Sequence, residues 1–527
     1  MSPAPFPLRR NVAALRTRSF DLLVIGGGIY GAWTAYDAAL RGLRVALIEK
    51  TDWGSGTSQS SSKLIHGGLR YLEHFEFGLV RHALAERRVL SRIAPHLVRP
   101  LNFIVPVWKD SRVGRLQLLA GLTLYDFLAT GKQPVPRFKS FSRKNLLAAH
   151  PYLDPVGLRG GLRYGDCQED DARMTLFIVA AAQAAGAVCA NAVAADELMF
   201  DGWRCIGSSL RDTETGERFE LRAGAVVNAA GPWASTLVGS AAPAVKMVKG
   251  VHLILPAIPG LEDALLLTAP QDGRVFFVIP WYGRTLIGTT ESSVTDPSEA
   301  VVTADEIRYL LDATDALLPG LRFTPADVIG SYAGVRTLQA EDAASLSAVS
   351  REFAVLEPRP RLIMPIGGKY TTARVDAVDI VDAVFAALGR MPPASTTHCH
   401  ALPGAPHEDA RLGDFTGWQA EAMAGLARRG IDVKAARLLT LRHGTRVARI
   451  VELVDEDHSL AQPLHPDAPF LAAEAVLAVR DEGARTFDDV VRRRLPLSLL
   501  VAPESGWHAR VSTLIVRGRN DAFYGTS

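Results

Sequence analysis

FDLLVIGGGIYGAWTAYDAALRGLRVALIEK, residues 20–50, holds the pattern from which the rest of the chain is read. An apolar run at 22–25 turns through glycines into an alanine-rich segment. A second apolar run at 45–48 stops at Glu49. That order is strand, tight turn, helix and parallel strand, the opening unit of a doubly wound α/β sheet. Gly26, Gly28 and Gly31 fill the three glycine places of G-x-G-x-x-G. Gly26 permits the sharp turn, and Gly28 lets a pyrophosphate approach the backbone. Gly31, followed by Ala35 and Ala39, lets the helix lie close on the sheet. The free N–H groups and dipole of the helix start favour an anion. Glu49 is placed to accept hydrogen bonds from the hydroxyls of an adenosine ribose, and its charge would repel a 2′-phosphate, which argues against NADP. A glycine-rich turn that binds nothing is the competing reading, but strand, helix, second strand and acid all fall in register for a dinucleotide.

The chain has 527 residues, enough for two or three domains around a large core. Hydrophobic residues make up 48% and charged residues 22%, the balance of an ordinary globular protein. A formal charge of +2 gives no electrostatic case for nucleic acid. The four cysteines, Cys167, Cys189, Cys205 and Cys399, have no C-x-x-C spacing and read as reduced thiols of a cytosolic protein. No apolar stretch has the length of a membrane span. The first twenty residues carry Arg9, Arg10, Arg16 and Arg18, and read either as a disordered stub or as a basic anchor for an anionic membrane surface.

Residues 51–62, TDWGSGTSQSSS, have the composition of a flexible linker. Their place directly after the second strand suggests a loop over a cofactor instead. Residues 78–94 read as an amphipathic helix, and 116–128 as a second helix, buried or lying in the plane of a membrane. A further helix covers 172–185, antiparallel strands cover 198–221, and 225–229 is a buried strand running into Gly231. From 246 the texture becomes strand-like, an antiparallel substrate sheet. Residues 361–374, RLIMPIGGKYTTAR, restore the buried-strand and glycine pattern, followed by a helix to 388. A proline-rich linker at 391–406 then leads into helices at 418–429, 435–454, 470–481 and 487–493. These elements divide the chain into a discontinuous nucleotide domain (20–110, 151–245 and 356–392), a helical excursion facing substrate or membrane (111–150), an antiparallel-sheet substrate domain (246–355) and a helical C-terminal domain (407–527).

The stretches DLLVIGGGIYGA, SSSKLIHGGLRYLEH, DCQEDDAR, NAAGPW, KGVHLILP, FFVIPWYGRTLIGTT, AGVRTL and GGKYTTAR occur in order between residues 21 and 374. Together with LTLRHGTR and AAEAVLAVRDEGARTFDDVVRRR nearer the C-terminus, they resemble the FAD-dependent, quinone-linked glycerol-3-phosphate dehydrogenase family. Two positions depart from the family pattern: Thr337 stands where it usually has Pro, and Glu291 where it usually has Asp. The resemblance implies an FAD-binding domain of the Rossmann-like type shared by glutathione reductase and D-amino-acid oxidase. It also implies FAD as cofactor, oxidation of sn-glycerol 3-phosphate to dihydroxyacetone phosphate, and a membrane quinone as acceptor. A homodimer held peripherally at the inner face of the cytoplasmic membrane completes what it implies. An oxidase using O₂, another hydroxy-acid or amine oxidoreductase of the same fold, and a binding module without turnover are the alternatives.

Oxidising a secondary alcohol needs an electron acceptor near the carbon, a base near the hydroxyl and, for a phosphorylated substrate, a clamp. His252 matches the family histidine and is the candidate base. Arg70, Arg336 and Arg351 match its substrate-region arginines, whose planar donors suit a phosphate dianion, although Arg351 lies in a polar run and reads equally as a surface residue. Lys369 is placed either to stabilise a reduced flavin or to reach substrate, and Tyr71 either to touch substrate or to pack. Ser61, Ser62, Lys63, Gly67 and Gly68 are expected around the flavin, with Gly231, Gly367, Gly368 and Thr371 also on the cofactor. His398-Cys399-His400 lacks further ligands at zinc spacing, so no metal site is expected.

Overall fold

The structure is a computed structural model that describes residues 6–239, 243–339, 353–407, 414–502 and 506–524. Among these the first sheet has eight strands. Its central order is Ala354–Arg359, Leu362–Ile366, Arg218–Asn228, Phe20–Ile25, Val45–Ile48, Val188–Ala190, parallel except for the first pair. Leu22 and Val24 face one core with the helices Ile29–Leu40, Asp171–Ala184 and Ala373–Ala387, while Leu23 and Ile25 face another. Burial on both faces is why this strand reads as an unbroken apolar run. Residues 198–221 and 225–229 prove to be continuous at one point: Arg218–Asn228 is a single strand, antiparallel to Arg204–Asp212 at its start and parallel to Phe20–Ile25 at its end.

The second sheet has ten strands among the described residues, in the central order Ser292–Val294, Val245–Leu255, Arg284–Gly288, Val275–Trp281, Ala264–Thr268, Arg99–Trp108, Leu158–Gln168, Leu64–Ile65. Gly330–Gln339 pairs antiparallel with Val245–Leu255. The sheet therefore draws Leu64–Ile65 and Arg99–Trp108 from the 20–110 segment, and Leu158–Gln168 from 151–245. Apolar alternation identifies such strands but not their partners, so the segment boundaries expected from the sequence are crossed. A helix, Ala304–Leu317, also lies within the segment expected to form the antiparallel substrate sheet. Its start carries a capping box between Thr303 and Glu306, a signal present in the sequence as T-A-D-E.

The C-terminal helices Phe415–Ala427, Val433–His443, Val447–Glu456 and Ala472–Arg480 share a core with the second sheet. The single helix expected over 435–454 is two, broken at Gly444, whose φ of +55° suits glycine and whose added Cβ would lie 1.9 Å from the Gly404 carbonyl oxygen. The expected helix at 470–481 begins with a strand, Ala468–Leu471, and most of 487–493 is taken up by a π-helical turn, Asp489–Arg494, that ends one residue later. The segment 391–406 is not a solvated tether. Leu402 and Thr397 are buried, and the Leu402 N–H donates to the Ile93 carbonyl at 2.7 Å. The N-terminal arginines are likewise tied to protein: Val12–Thr17 is helical, Arg10 pairs with Asp212 at 2.6 Å, and Arg16 pairs with Glu217 at 2.5 Å. No helix among the described residues is long and apolar enough to cross a membrane.

Candidate active site

A cavity of about 1080 Å³ runs between the two sheets. One end is made by the turn after the first strand. Gly26 has φ +107°, and a Cβ there would sit 2.5 Å from the Ala229 carbonyl oxygen. A Cβ on Gly31 would fall 1.8 Å from the Gly26 carbonyl oxygen, so helix and turn pack to backbone contact. Gly28 caps the helix in extended conformation without a side-chain hydrogen bond. Glu49 is buried and lines this end; one oxygen accepts from the Gly27 N–H at 2.8 Å, the other from the Thr51 N–H and hydroxyl. Burial raises its carboxyl above the usual range, partly offset by those donors. Gly231 also lines the cavity, with φ +55° and nothing within 4 Å of where a Cβ would stand.

The far end is built on two neighbouring strands. In the pairing of Val245–Leu255 with Gly330–Gln339, His252 lies opposite Tyr332, Gly250 opposite Gly334, and Val248 opposite Arg336. Side chains two apart share a face, so His252 and Arg336 emerge on the same side with a pair of glycines between them. The glycines are required there. A Cβ on Gly250 would meet Thr289 Oγ1 at 2.4 Å and Arg336 Nη2 at 2.7 Å, and one on Gly334 would meet the Ser60 carbonyl oxygen at 2.8 Å. The His252 ring is buried and stacked on Tyr332, with centroids 4.9 Å apart. Its Nε2 is 2.9 Å from Ser62 Oγ, and its Nδ1 has no hydrogen-bond partner among the described residues. Burial, reinforced by the charges of Arg336 and Lys63, holds the imidazole well below its ordinary value of 6.5, so it is neutral near pH 7.

Arg336 Nη1 pairs with Glu291 at 3.3 Å, and Arg274 Nη1 donates to the Glu291 carbonyl oxygen at 2.9 Å. Arg70, Arg274, Arg336 and Lys369 line the same cavity as Glu291, four basic groups available to an anion. Lys369 Nζ lies 3.5 Å from the centre of the Tyr71 ring, joining the two glycine-flanked stretches by a cation–π contact. The Lys369 N–H donates to the Tyr30 hydroxyl, and Thr371 Oγ1 accepts from the His66 N–H.

The cavity thus collects Gly26, Gly28, Glu49, Ser61, Ser62, Gly68, Arg70, Tyr71, Gly231, His252, Arg336, Gly367, Gly368, Lys369 and Thr371. Gly31, Lys63 and Gly67, expected at the cofactor, are not on its wall. Gly31 is packed beneath Gly26. Lys63 turns away to a buried pair with Asp171 at 2.7 Å, because a desolvated ammonium needs a carboxylate more than it needs the cavity. Gly67 is wedged against Leu84 and Tyr125, and its N–H donates to the Tyr125 hydroxyl at 3.0 Å. Arg351 lies outside the described residues. Reading the sequence overlooked Arg274, which precedes a strand as any basic residue does, and the link from Ser62 to His252, which joins residues 190 apart.

Residues 21–369 match the family model described as FAD dependent oxidoreductase, and 395–517 match the C-terminal domain of alpha-glycerophosphate oxidase. The chain is 38% identical to glycerol-3-phosphate dehydrogenase 2 of Mycobacterium tuberculosis, across 95% of this chain and 88% of that protein. It is 32% identical to the aerobic glycerol-3-phosphate dehydrogenase of Staphylococcus aureus, across 91% and 87%. The glycerol-3-phosphate dehydrogenase of Bacillus halodurans complexed with FAD superposes with a TM-score of 0.77 at 29% identity, covering 97% of this chain and 92% of that one. The residues present fit that cofactor. Gly28 and Gly231 leave the wall bare where side chains would intrude, the helix start and Glu49 offer donors and an acceptor at the dinucleotide end, and the cavity continues without a break to His252. The chain is an oxidoreductase that belongs to the FAD-dependent glycerol-3-phosphate dehydrogenase/oxidase family, with FAD as its cofactor.

Proposed function

We propose that the protein oxidises sn-glycerol 3-phosphate to dihydroxyacetone phosphate and passes the electrons to a membrane quinone. The observation that carries the reading is the single cavity in which the dinucleotide end opens onto His252 and the arginines. FAD, when bound, supplies the acceptor for the hydride leaving the secondary carbon. Gly26, Gly28, Glu49, Ser61, Ser62, Gly68, Gly231, Gly367, Gly368 and Thr371 hold it, and Lys369 places positive charge beside it. Arg336 and Arg70, assisted by Arg274, hold the substrate phosphate, and Tyr71 keeps Lys369 in place. His252 takes the hydroxyl proton. Ser62 Oγ at 2.9 Å fixes the ring through Nε2, and the neutral state favoured by burial is the one a base requires. The substrate dianion then stabilises the imidazolium that forms.

The quinone and the membrane rest on a different surface. The helix Arg115–Leu128 exposes Leu116, Leu119 and Phe127, and Phe75 and Phe77 are exposed near its neighbour segment, which Arg112 joins through Glu73 at 2.8 Å. Apolar side chains beside arginines suit a lipid interface, here the inner face of the cytoplasmic membrane. A homodimer completes the proposal, and sedimentation of the purified holoenzyme tests it. Product formation measured with a short-chain quinone and with O₂ as alternative acceptors tests the rest. Dihydroxyacetone phosphate made rapidly with quinone and slowly with O₂ is the expected result, and peroxide released at the full turnover rate would make the protein an oxidase.

A further inference from the structure

The loop after the second strand, residues 49–56, carries Glu49 into the dinucleotide end of the cavity, together with Lys50, Thr51, Ser55 and Gly56. Its middle is anchored elsewhere. Asp52 is fully buried, and its carboxylate accepts from Arg493 Nε at 2.7 Å and from Arg494 Nη1 and Nη2 at 2.7 and 2.9 Å. Both arginines belong to the π-helical turn Asp489–Arg494 of the C-terminal unit. Beside Asp52, Trp53 packs so closely under the glycine turn that a Cβ on Gly27 would meet its ring at 2.5 Å, and the Gly54 N–H donates to the Gly27 carbonyl at 2.9 Å. Displacing Asp52 would therefore shift Glu49 and the turn together.

The arginines are themselves fixed from behind. Arg494 donates to the Glu482 carbonyl, Glu482 pairs with Arg173 at 2.8 Å and with Arg446 at 2.8 Å, and Arg173 lies on the helix Asp171–Ala184 of the first sheet. Burial alone would raise the Asp52 carboxyl, but the guanidinium charges of Arg494 and Arg493 outweigh it and hold the group below the usual carboxylate range, so the pair is ionised. Residues 484–494 also wall the cavity directly, through Arg485, Thr486, Asp488, Asp489 and Arg493.

We propose that the C-terminal helical unit is a retention clamp for FAD, acting through the buried cluster of Asp52 with Arg493 and Arg494, and that Asp52 and Arg494 are positioning residues for the adenosine end of the cofactor. The proposal rests on the FAD cavity and not on the identity of the substrate. A buried ion pair resists disruption because removing one partner leaves the other charge desolvated and unpaired. The bidentate Arg494 contact further restricts the loop to one geometry.

The test is FAD release from the full-length holoenzyme, followed by recovery of free-flavin fluorescence after dilution, with no substrate present. Asp52→Asn keeps the side-chain volume, and Arg494→Lys keeps the charge but loses the fork. Each should speed release at least tenfold relative to the parent. Glu474→Gln serves as the control. Glu474 pairs with Arg442 and His443 and reaches the Arg494 cluster through the longer His443–Glu482 contact at 3.8 Å rather than through Asp52, so it should lower the melting temperature with far less change in release. Should an Asp52 or Arg494 variant fail to fold, the other carries the measurement. Should both fail, Arg493→Gln, which leaves the Asp52–Arg494 pair in place, must release FAD faster than the parent. Unchanged release in the folded variants, or release accelerated equally by Glu474→Gln, would overturn the clamp.

Discussion

Arg336→Ala probes the anion clamp most sharply. The Arg336 side chain is 29% exposed, held by Glu291 at 3.3 Å and by Thr289 Oγ1 at 3.5 Å. Removing one partner of a fully desolvated charge pair costs ~2–5 kcal/mol. Partial exposure and the remaining arginines, Arg70 and Arg274, place this site near the low end, at ~2–3 kcal/mol, or roughly 30- to 150-fold in half-saturation. The substitution also removes the Arg336 charge from between the Glu291 carboxylate and the incoming phosphate, which adds repulsion to lost attraction. Arg336→Lys should recover part of the loss, since it restores the charge without the planar fork. The assay is anaerobic stopped-flow bleaching of the flavin against glycerol 3-phosphate concentration. Half-saturation should rise while the limiting rate changes much less, because the clamp holds phosphate in the ground state and transition state alike. A half-saturation within threefold of the parent would remove Arg336 from the clamp.

Two further outcomes follow from the same geometry. His252→Ala should lower the limiting rate of flavin reduction by roughly 10²–10⁴-fold with little effect on half-saturation, and a normal rate in stopped flow would assign the proton elsewhere. Acid stability should also be limited by two buried imidazoles. Burial, with the nearby Arg173, pushes His96 down to about 3 and His443 to about 4, against 6.5 when unfolded. Because the unfolded chain binds protons that the folded one refuses, their stabilising contribution is full above pH 6.5 and is lost as pH falls toward 4. By pH 5 the two together forfeit roughly 4 kcal/mol. Melting temperatures recorded from pH 7 to pH 5 should fall accordingly, and His96→Phe should flatten the fall; a flat profile in the parent would show that other groups compensate.

Much of the dinucleotide end was legible in the sequence, because backbone geometry there dictates residue type. Gly26 and Gly31 stand where any side chain would collide with main-chain oxygen, and the double burial of residues 22–25 writes itself as an apolar run. His252 and Arg336 were found as candidates from their motifs, but their meeting depends on the register of two strands about eighty residues apart, which local pattern does not encode. The same limit explains why Leu64–Ile65, Arg99–Trp108 and Leu158–Gln168 were assigned to the nucleotide segments and pair in the other sheet. Lys63 looked like a cofactor ligand because it sits among serines and glycines; only its contact with Asp171, more than a hundred residues away, reveals a structural charge. In the C-terminal unit, Arg442, His443, Glu474, Glu482, Arg493 and Arg494 fall within the family-like stretches, and local sequence gives them no role. Their buried partners come from distant parts of the chain, so no local spacing could announce the network.

The central claim, that an isoalloxazine shares one enclosure with an anion-binding cluster and a neutral imidazole, is tested most directly by anaerobic titration of the purified yellow protein with sn-glycerol 3-phosphate and, separately, with glycerol. Stoichiometric loss of the flavin colour with the phosphorylated alcohol, and none with glycerol at the same concentration, is the predicted result. A spectrum untouched by glycerol 3-phosphate, or bleached equally by both, would contradict it.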